Sequence, residues 1–175
     1  MTVAWEFPVE VLLRQRGARF QYAFDLAARG VLSPREDNEL HASSEGLTVR
    51  GRNEDALAWP LQVLKDLYGD RLEVGEPRVR LWNGASVLEP VMQLRISAPR
   101  AVLPPIEQEL QRRRVPIGER HLARFHAVLR SEAPLARLIG LPERLRTLGN
   151  DMAQHWILLS HYAPVEPQPP DGLAA

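Results

Sequence analysis

Three consecutive arginines, Arg112, Arg113 and Arg114, close the segment "RAVLPPIEQELQRRR". Arginine carries a planar fork of donors that fits phosphate and carboxylate oxygens in pairs. The next helical segment, "LARLIGLPERLRTLGND", adds Arg137, Arg144 and Arg146. A positive face centred on Arg112, Arg113 and Arg114, with Arg144 and Arg146, could contact an RNA backbone. These five are the candidate RNA-binding residues. Helix-end electrostatics accounts for the triplet as well. Cations in the last turn complement the macrodipole and can bond the final carbonyls. Helical spacing puts Arg113 and Arg114 at the margins of the apolar stripe and points Arg112 outward.

Other chemistry is sparse. The chain has no G-x-x-x-x-G-K-[ST], no G-x-G-x-x-G and no G-x-S-x-G. Lys65, the only lysine, stands in "VLKDLYG" without the glycines of a phosphate loop. The expectation is a non-enzymatic protein with no catalytic residues, no cofactor and no direct GTP binding. His121 and His126 lie five apart across a strand, so they point to opposite faces. His155 and His161 lie six apart on one strand and could share a face. Without an E-x-x-H or H-x-H cluster, these read as sheet-surface histidines rather than metal ligands.

Composition narrows the partners. Lys+Arg and Asp+Glu balance at 22 each, so any nucleic-acid contact must be local. The absence of cysteine excludes disulfides and thiolate sites and fits a reducing cytoplasm. No apolar run approaches the roughly 18 to 20 residues of a membrane span. "MTVAWEFPVEVLLRQRG" has acidic residues within its apolar run and no cationic leader, so it does not read as a signal peptide. The expectation is a cytoplasmic protein with no membrane partner.

The elements that must position the arginines follow a pattern. "EFPVEVLL" reads as a strand and "RFQYAFDLAARG" as a helix. Phe20, Phe24 and Ala27 fall at helical spacing, with Ala23 beside them and Gly30 as a cap. "DNELHASSE" and "GLTVRGR" form a hairpin turning near Glu45-Gly46. Leu57, Leu61, Leu64 and Tyr68 stripe the next helix, which begins or bends near Pro60 and stops at Gly69. "LEVGEPRVRLW" closes this half as an extended segment.

After the turn "NGAS", the second half repeats the order. Val91, Gln93 and Arg95 alternate with Met92, Leu94 and Ile96 in a half-buried strand. Pro104 and Pro105 suit the first turn of a helix with Ile106 and Leu110 inward, joined by Leu103 if the helix begins early. Leu122, Arg124, His126 and Val128 alternate with Ala123, Phe125, Ala127 and Leu129 over two strands. A helix broken near Gly140 and Pro142 and a last strand, "MAQHWILLSHYAPV", complete the set. The order βαββαβ occurs twice, which predicts an α+β chain of two tandem ferredoxin-like domains, with antiparallel sheets and helices on one face. The expected bounds are 1–83 and 87–165, with a proline-rich disordered tail at 166–175.

These residues resemble a known family. "EPVMQLRISAP" is similar to the opening strand of domain V of translation elongation factor G, and "ELQRRRVPI" to its helix end. Val115 stands where that family usually has glycine. Pro134, Leu135, Gly140, Leu145, Arg146, Leu148 and Ala153 match further family positions, and Asp151 replaces a common glycine. The first half more weakly resembles domain III. Val74, Gly75, Pro77 and Val79 match its closing stretch. Gly51, Glu54 and Leu57 match its Gly-Met-Gly-Glu-Leu-His-Leu-Glu motif, whereas Asn53, Ala56 and Ala58 depart from it. A chain of 175 residues has no room for that factor's GTPase, barrel and fourth domains. The resemblance implies contact with the ribosome or ribosomal RNA. The alternative is a protein-interaction or regulatory module that self-associates or pairs with a separate GTPase.

Overall fold

A computed structural model of the chain describes residues 6–33 and 35–165. The reading of residues 166–175 and the start of the N-terminal reading lie outside them.

Strand β1 (Val9–Gln15) places Val9, Val11 and Leu13 on one fully buried face, the period of two that a one-sided sheet imposes. It is followed by α1 (Tyr22–Val31), β2 (Asn38–Ser43), β3 (Gly46–Gly51), α2 (Asp55–Tyr68), β4 (Leu72–Val74) and β5 (Arg78–Val79). The sheet order is β2-β3-β1-β4, every pairing is antiparallel, and β5 adds to β1. Phe24 from α1 and Leu57 and Leu64 from α2 cover the buried face. Phe24 meets Tyr68 edge-on, with ring centroids 5.1 Å apart.

The second sheet repeats this plan. Its elements are β6 (Trp82–Asn83), β7 (Val87–Pro99), α3 (Leu103–Arg112), β8 (Glu119–Leu122), β9 (His126–Pro134), α4 (Leu135–Leu138), α5 (Leu141–Leu148) and β10 (Gln154–Pro164). The order is β10-β7-β9-β8, with β6 on β7. Met92, Leu94, Ile96 and Ala98 face Leu103, Ile106, Leu110, Leu138, Leu141 and Leu145 in the core. Leaving out the short β5 and β6 and counting the remaining strands within each half, both sheets run fourth, first, third, second. The protein is α+β, with two antiparallel sheets arranged as two ferredoxin-like units.

Several local expectations change. Phe20 precedes α1 and is 73% exposed. Ala23 and Ala27 face solvent, and Ala28 joins Phe24 in the core. Gly30 does not end α1, which runs to Val31 and closes on the Leu32 N–H. "LEVGEPRVRLW" is not one extended segment: it divides among β4, β5 and β6, and Trp82 already pairs with Leu88 of the second sheet. The alternation across Leu122–Val128 is interrupted by a turn, leaving Phe125 exposed between β8 and β9.

His155 and His161 also part company. A register shift between Leu159 and His161 inserts one residue, which reverses the side-chain alternation. His155 keeps the inward phase of Ile157, and His161 turns outward toward Glu132 at 3.5 Å.

Pro60 lies inside α2, which begins five residues earlier. Proline has no N–H for the carbonyl four residues back. The Asn38 Nδ2 donates to that carbonyl, Ala56 O, at 3.4 Å.

Candidate nucleic-acid interface

The arginine triplet forms the end of α3. Arg112 is the last helical residue, and Arg114 adopts a left-handed backbone with φ 58°. The Val115 N–H donates to Leu110 O at 2.9 Å, and the Arg114 N–H donates to Gln111 O at 2.9 Å. Val115 is buried, as is Leu110. This is a Schellman closure with its usual apolar contact. The left-handed position normally favours glycine; here it holds Arg114. The glycine-to-valine departure at 115 becomes intelligible, because Val115 supplies the apolar side of the closure.

The three guanidinium groups have different surroundings. Arg113 is only 15% exposed. Its Nε donates to Glu109 Oε1 at 2.6 Å, and its Nη1 donates to Ile139 O at 2.6 Å and Arg137 O at 3.2 Å. It ties the end of α3 to the break between α4 and α5. Arg112 grips the same carboxylate with two bonds, Nη2 to Oε1 at 2.6 Å and Nε to Oε2 at 3.0 Å, but stays exposed. Glu109 itself is buried. The Arg112 hydrogen bonds, joined by those from Arg113, hold its carboxyl at about 2 despite burial. Arg114 is exposed and its side chain has no carboxylate partner among the described residues. Its carbonyl accepts from Arg137 Nη1 at 2.9 Å.

The break between α4 and α5 turns on Gly140, whose φ is 74°. Pro142 sits in the first turn of α5, where a missing N–H is harmless. Arg144 and Arg146 project from this helix. Arg146 pairs with Glu143 at 2.7 Å, with both side chains exposed, so solvent screens the pair. Arg144 is exposed, with no carboxylate partner among the described residues. The fold therefore puts the five candidate arginines on one helix layer. It gives Arg113 an internal task, neutralises Arg112 and Arg146 in part, and leaves Arg114 and Arg144 open.

A second set of contacts joins the two halves at the start of α2. The Gly140 N–H donates to Glu54 Oε2 at 2.7 Å. The Asn53 Nδ2 donates to Ile157 O at 2.9 Å, on edge strand β10. His155 Nε2 lies 2.8 Å from Asp55 Oδ2. Asn53 also caps α2, its Oδ1 accepting the Ala56 N–H at 3.0 Å. In the sequence Asn53 stands out only as a lost glycine, and Glu109 does not stand out at all. The spacing of Glu109, three and four residues before two arginines, was the available signal.

No group of three or more His, Cys, Asp or Glu among the described residues could hold a metal ion. No helix there is long and apolar enough to cross a membrane.

Comparison with known proteins places this geometry. Residues 86–173 match the family model described as elongation factor G C-terminus. Elongation factor G of Cytophaga hutchinsonii is 25% identical across 87% of this chain, which spans 26% of that protein. Mitochondrial ribosome-releasing factor 2 of Bos taurus is 34% identical over 82 residues, 47% of this chain and 11% of that protein. A solved structure from Thermus thermophilus shares the fold, with a TM-score of 0.65 at 16% identity over 92% of this chain and 41% of that one. The chain thus spans about a quarter or less of the two named factors.

Proposed function

Because the chain belongs to the elongation factor G C-terminus family, we propose that it is a non-enzymatic protein that binds the ribosome or ribosomal RNA through the helix layer of its second half. The observation that carries this reading is the pair Arg114 and Arg144. Both extend exposed guanidinium groups without a carboxylate partner among the described residues. Arg146 flanks them in a solvent-exposed ion pair, weak enough to re-form with phosphate. Arg112 also flanks them, its exposed guanidinium held on the buried Glu109. Arg113 supports the face by fixing α3 against α4 and α5.

The phosphate backbone requires no catalytic group and no deep pocket, only local cations. Sedimentation of a native lysate through sucrose gradients at low and high salt tests the reading. The protein should travel with ribosomal subunits at low salt and leave them at high salt. A variant carrying Arg112→Ala, Arg114→Ala and Arg144→Ala should remain near the top. Parental behaviour of that variant would remove the arginine face from the account.

A second reading has its own support. Trp59, Val63 and Leu67 follow one another at intervals of four along α2, and Trp59 and Leu67 are exposed. Such an apolar row fits a module that self-associates or pairs with a separate GTPase. Light scattering coupled to size-exclusion chromatography checks self-association, and a strict monomer rules that variant out.

A further inference from the structure

Helix α1 is apolar on both sides. Phe24 and Ala28 face the core. On the opposite side Tyr22, Ala23, Leu26, Ala27, Gly30 and Val31 all face solvent. Tyr22 is 73% exposed, Leu26 62% and Val31 50%, and Phe20, just before the helix, is 73% exposed. A helix on a solvated surface ordinarily carries polar residues on its outer side, and one that is apolar all round is ordinarily covered. Between Tyr22 and Val31 the one exposed charge is Arg29, since Asp25 is buried. A single cation is too little for a phosphate backbone, so the cover that fits this side is protein.

Three observations make that protein a second copy of this chain. The first is charge. Lys+Arg and Asp+Glu balance at 22 each, so two copies do not repel one another. The second is area. Phe20, Tyr22, Leu26 and Val31 together expose on the order of 500 Å² of apolar surface per copy. Doubled, and set against an apolar share of roughly 60%, this corresponds to an interface of about 1,600 Å², the standard size for a stable pair.

The third is Gly30. Glycine inside a helix is destabilising relative to alanine, and an added Cβ at Gly30 would meet no atom within 4 Å. The fold of one copy therefore gives no reason for glycine there. An antiparallel pair of α1 helices does. With the two-fold axis between Leu26 and Ala27, Ala23 and Gly30 are equally far from the axis, and both lie near the middle of the outer side at 100° per residue. Ala23 of one copy then faces Gly30 of the second copy, and the axes can approach to about 8 Å. Leu26 meets Leu26 of the second copy on one margin. Tyr22 comes beside Arg29 of the second copy on that same margin, where a guanidinium can stack on the ring.

We propose that the outer side of α1 is a self-association surface, on which a second copy of this chain lays its own α1 antiparallel. Each residue contact then occurs twice, as a two-fold interface requires. The proposal rests on the self-association reading and deepens it, moving the contact from the row of Trp59, Val63 and Leu67 on α2 to α1. It uses none of the arginine face.

Sedimentation equilibrium of the full chain across micromolar concentrations tests it. The parent should dimerise. Gly30→Gln fits the open space of the single copy and should raise the dimer dissociation constant at least about tenfold, because its side chain holds the helices apart. Leu26→Gln, at an exposed position, should do the same by removing an apolar contact from both copies, again by at least about tenfold. Trp59→Gln with Leu67→Gln should leave the dimer unchanged. In a chain without cysteine, Leu26→Cys supplies a single thiol and should give a disulfide-linked dimer under mild oxidation, whereas Leu67→Cys should not. A strict monomer overturns the proposal together with the self-association reading. A dimer that survives both Gly30→Gln and Leu26→Gln overturns the proposal alone, and its loss in the Trp59 and Leu67 variant would return the contact to α2. Linkage through Leu67→Cys but not Leu26→Cys overturns the proposal as well.

Discussion

Glu54 and Gly140 are 86 positions apart in the chain and joined by one hydrogen bond: the Gly140 N–H donates to Glu54 Oε2 at 2.7 Å. Each matches a position of the elongation factor G pattern in its own half. Together they connect the start of α2 to the helix break that also receives Arg113. The side chain that spans the halves and the arginine that organises the candidate RNA face thus converge on one turn.

Burial raises the Glu54 carboxyl above its ordinary value, and the Gly140 N–H only partly opposes this. A carboxyl raised on folding adds stability below its unfolded value and loses it as pH rises through the folded value. Glu54→Gln keeps an acceptor for Gly140 and removes the charge. It should match or exceed the parent in thermal stability at neutral pH, and the gap should close in the acid range. Glu54→Ala leaves the Gly140 N–H unpaired and should cost about 1–2 kcal/mol in urea unfolding. Equal loss in both variants would contradict this account.

Asn53 performs two tasks, capping α2 and donating to Ile157 O. Asn53→Ala should destabilise the chain by about 1–2 kcal/mol. Hydrogen exchange should report the change both at the Ala56 amide and around β10. A change confined to α2 would show that the contact with Ile157 contributes nothing.

Arg114 holds a left-handed conformation that glycine adopts without strain. Arg114→Gly should raise stability by about 1 kcal/mol in chemical unfolding. It should at the same time weaken ribosome sedimentation, because the same position carries an open guanidinium. A variant that gains stability and sediments like the parent would confine Arg114 to helix closure.

Glu109 is held at about 2 by its two arginines. Its contribution should be complete above its unfolded value near 4.5 and decline as pH falls toward 2. Glu109→Gln should therefore cost about 1.5–3 kcal/mol at neutral pH and much less in strong acid. Thermal unfolding across that range checks the sign. A penalty independent of pH would mean that the carboxylate charge is not what Arg112 and Arg113 require.

Much of this architecture was legible in the residues alone. Alternation placed Met92, Leu94 and Ile96 inward, and Leu103, Ile106 and Leu110 followed at helical spacing, because burial on one face imposes a short period that one chain segment displays by itself. The doubled βαββαβ order and the arginine triplet were likewise local patterns. The tertiary structure decided what no segment carries alone. One inserted residue in β10 sent His155 and His161 to opposite faces. Asn38 served a carbonyl that Pro60 had released. Arg113 was turned inward, while Arg114 stayed open. Each of these depends on where a partner from a distant part of the chain comes to rest. Hydrogen bonds and ion pairs act over a few ångströms in space, and sequence spacing does not encode that proximity.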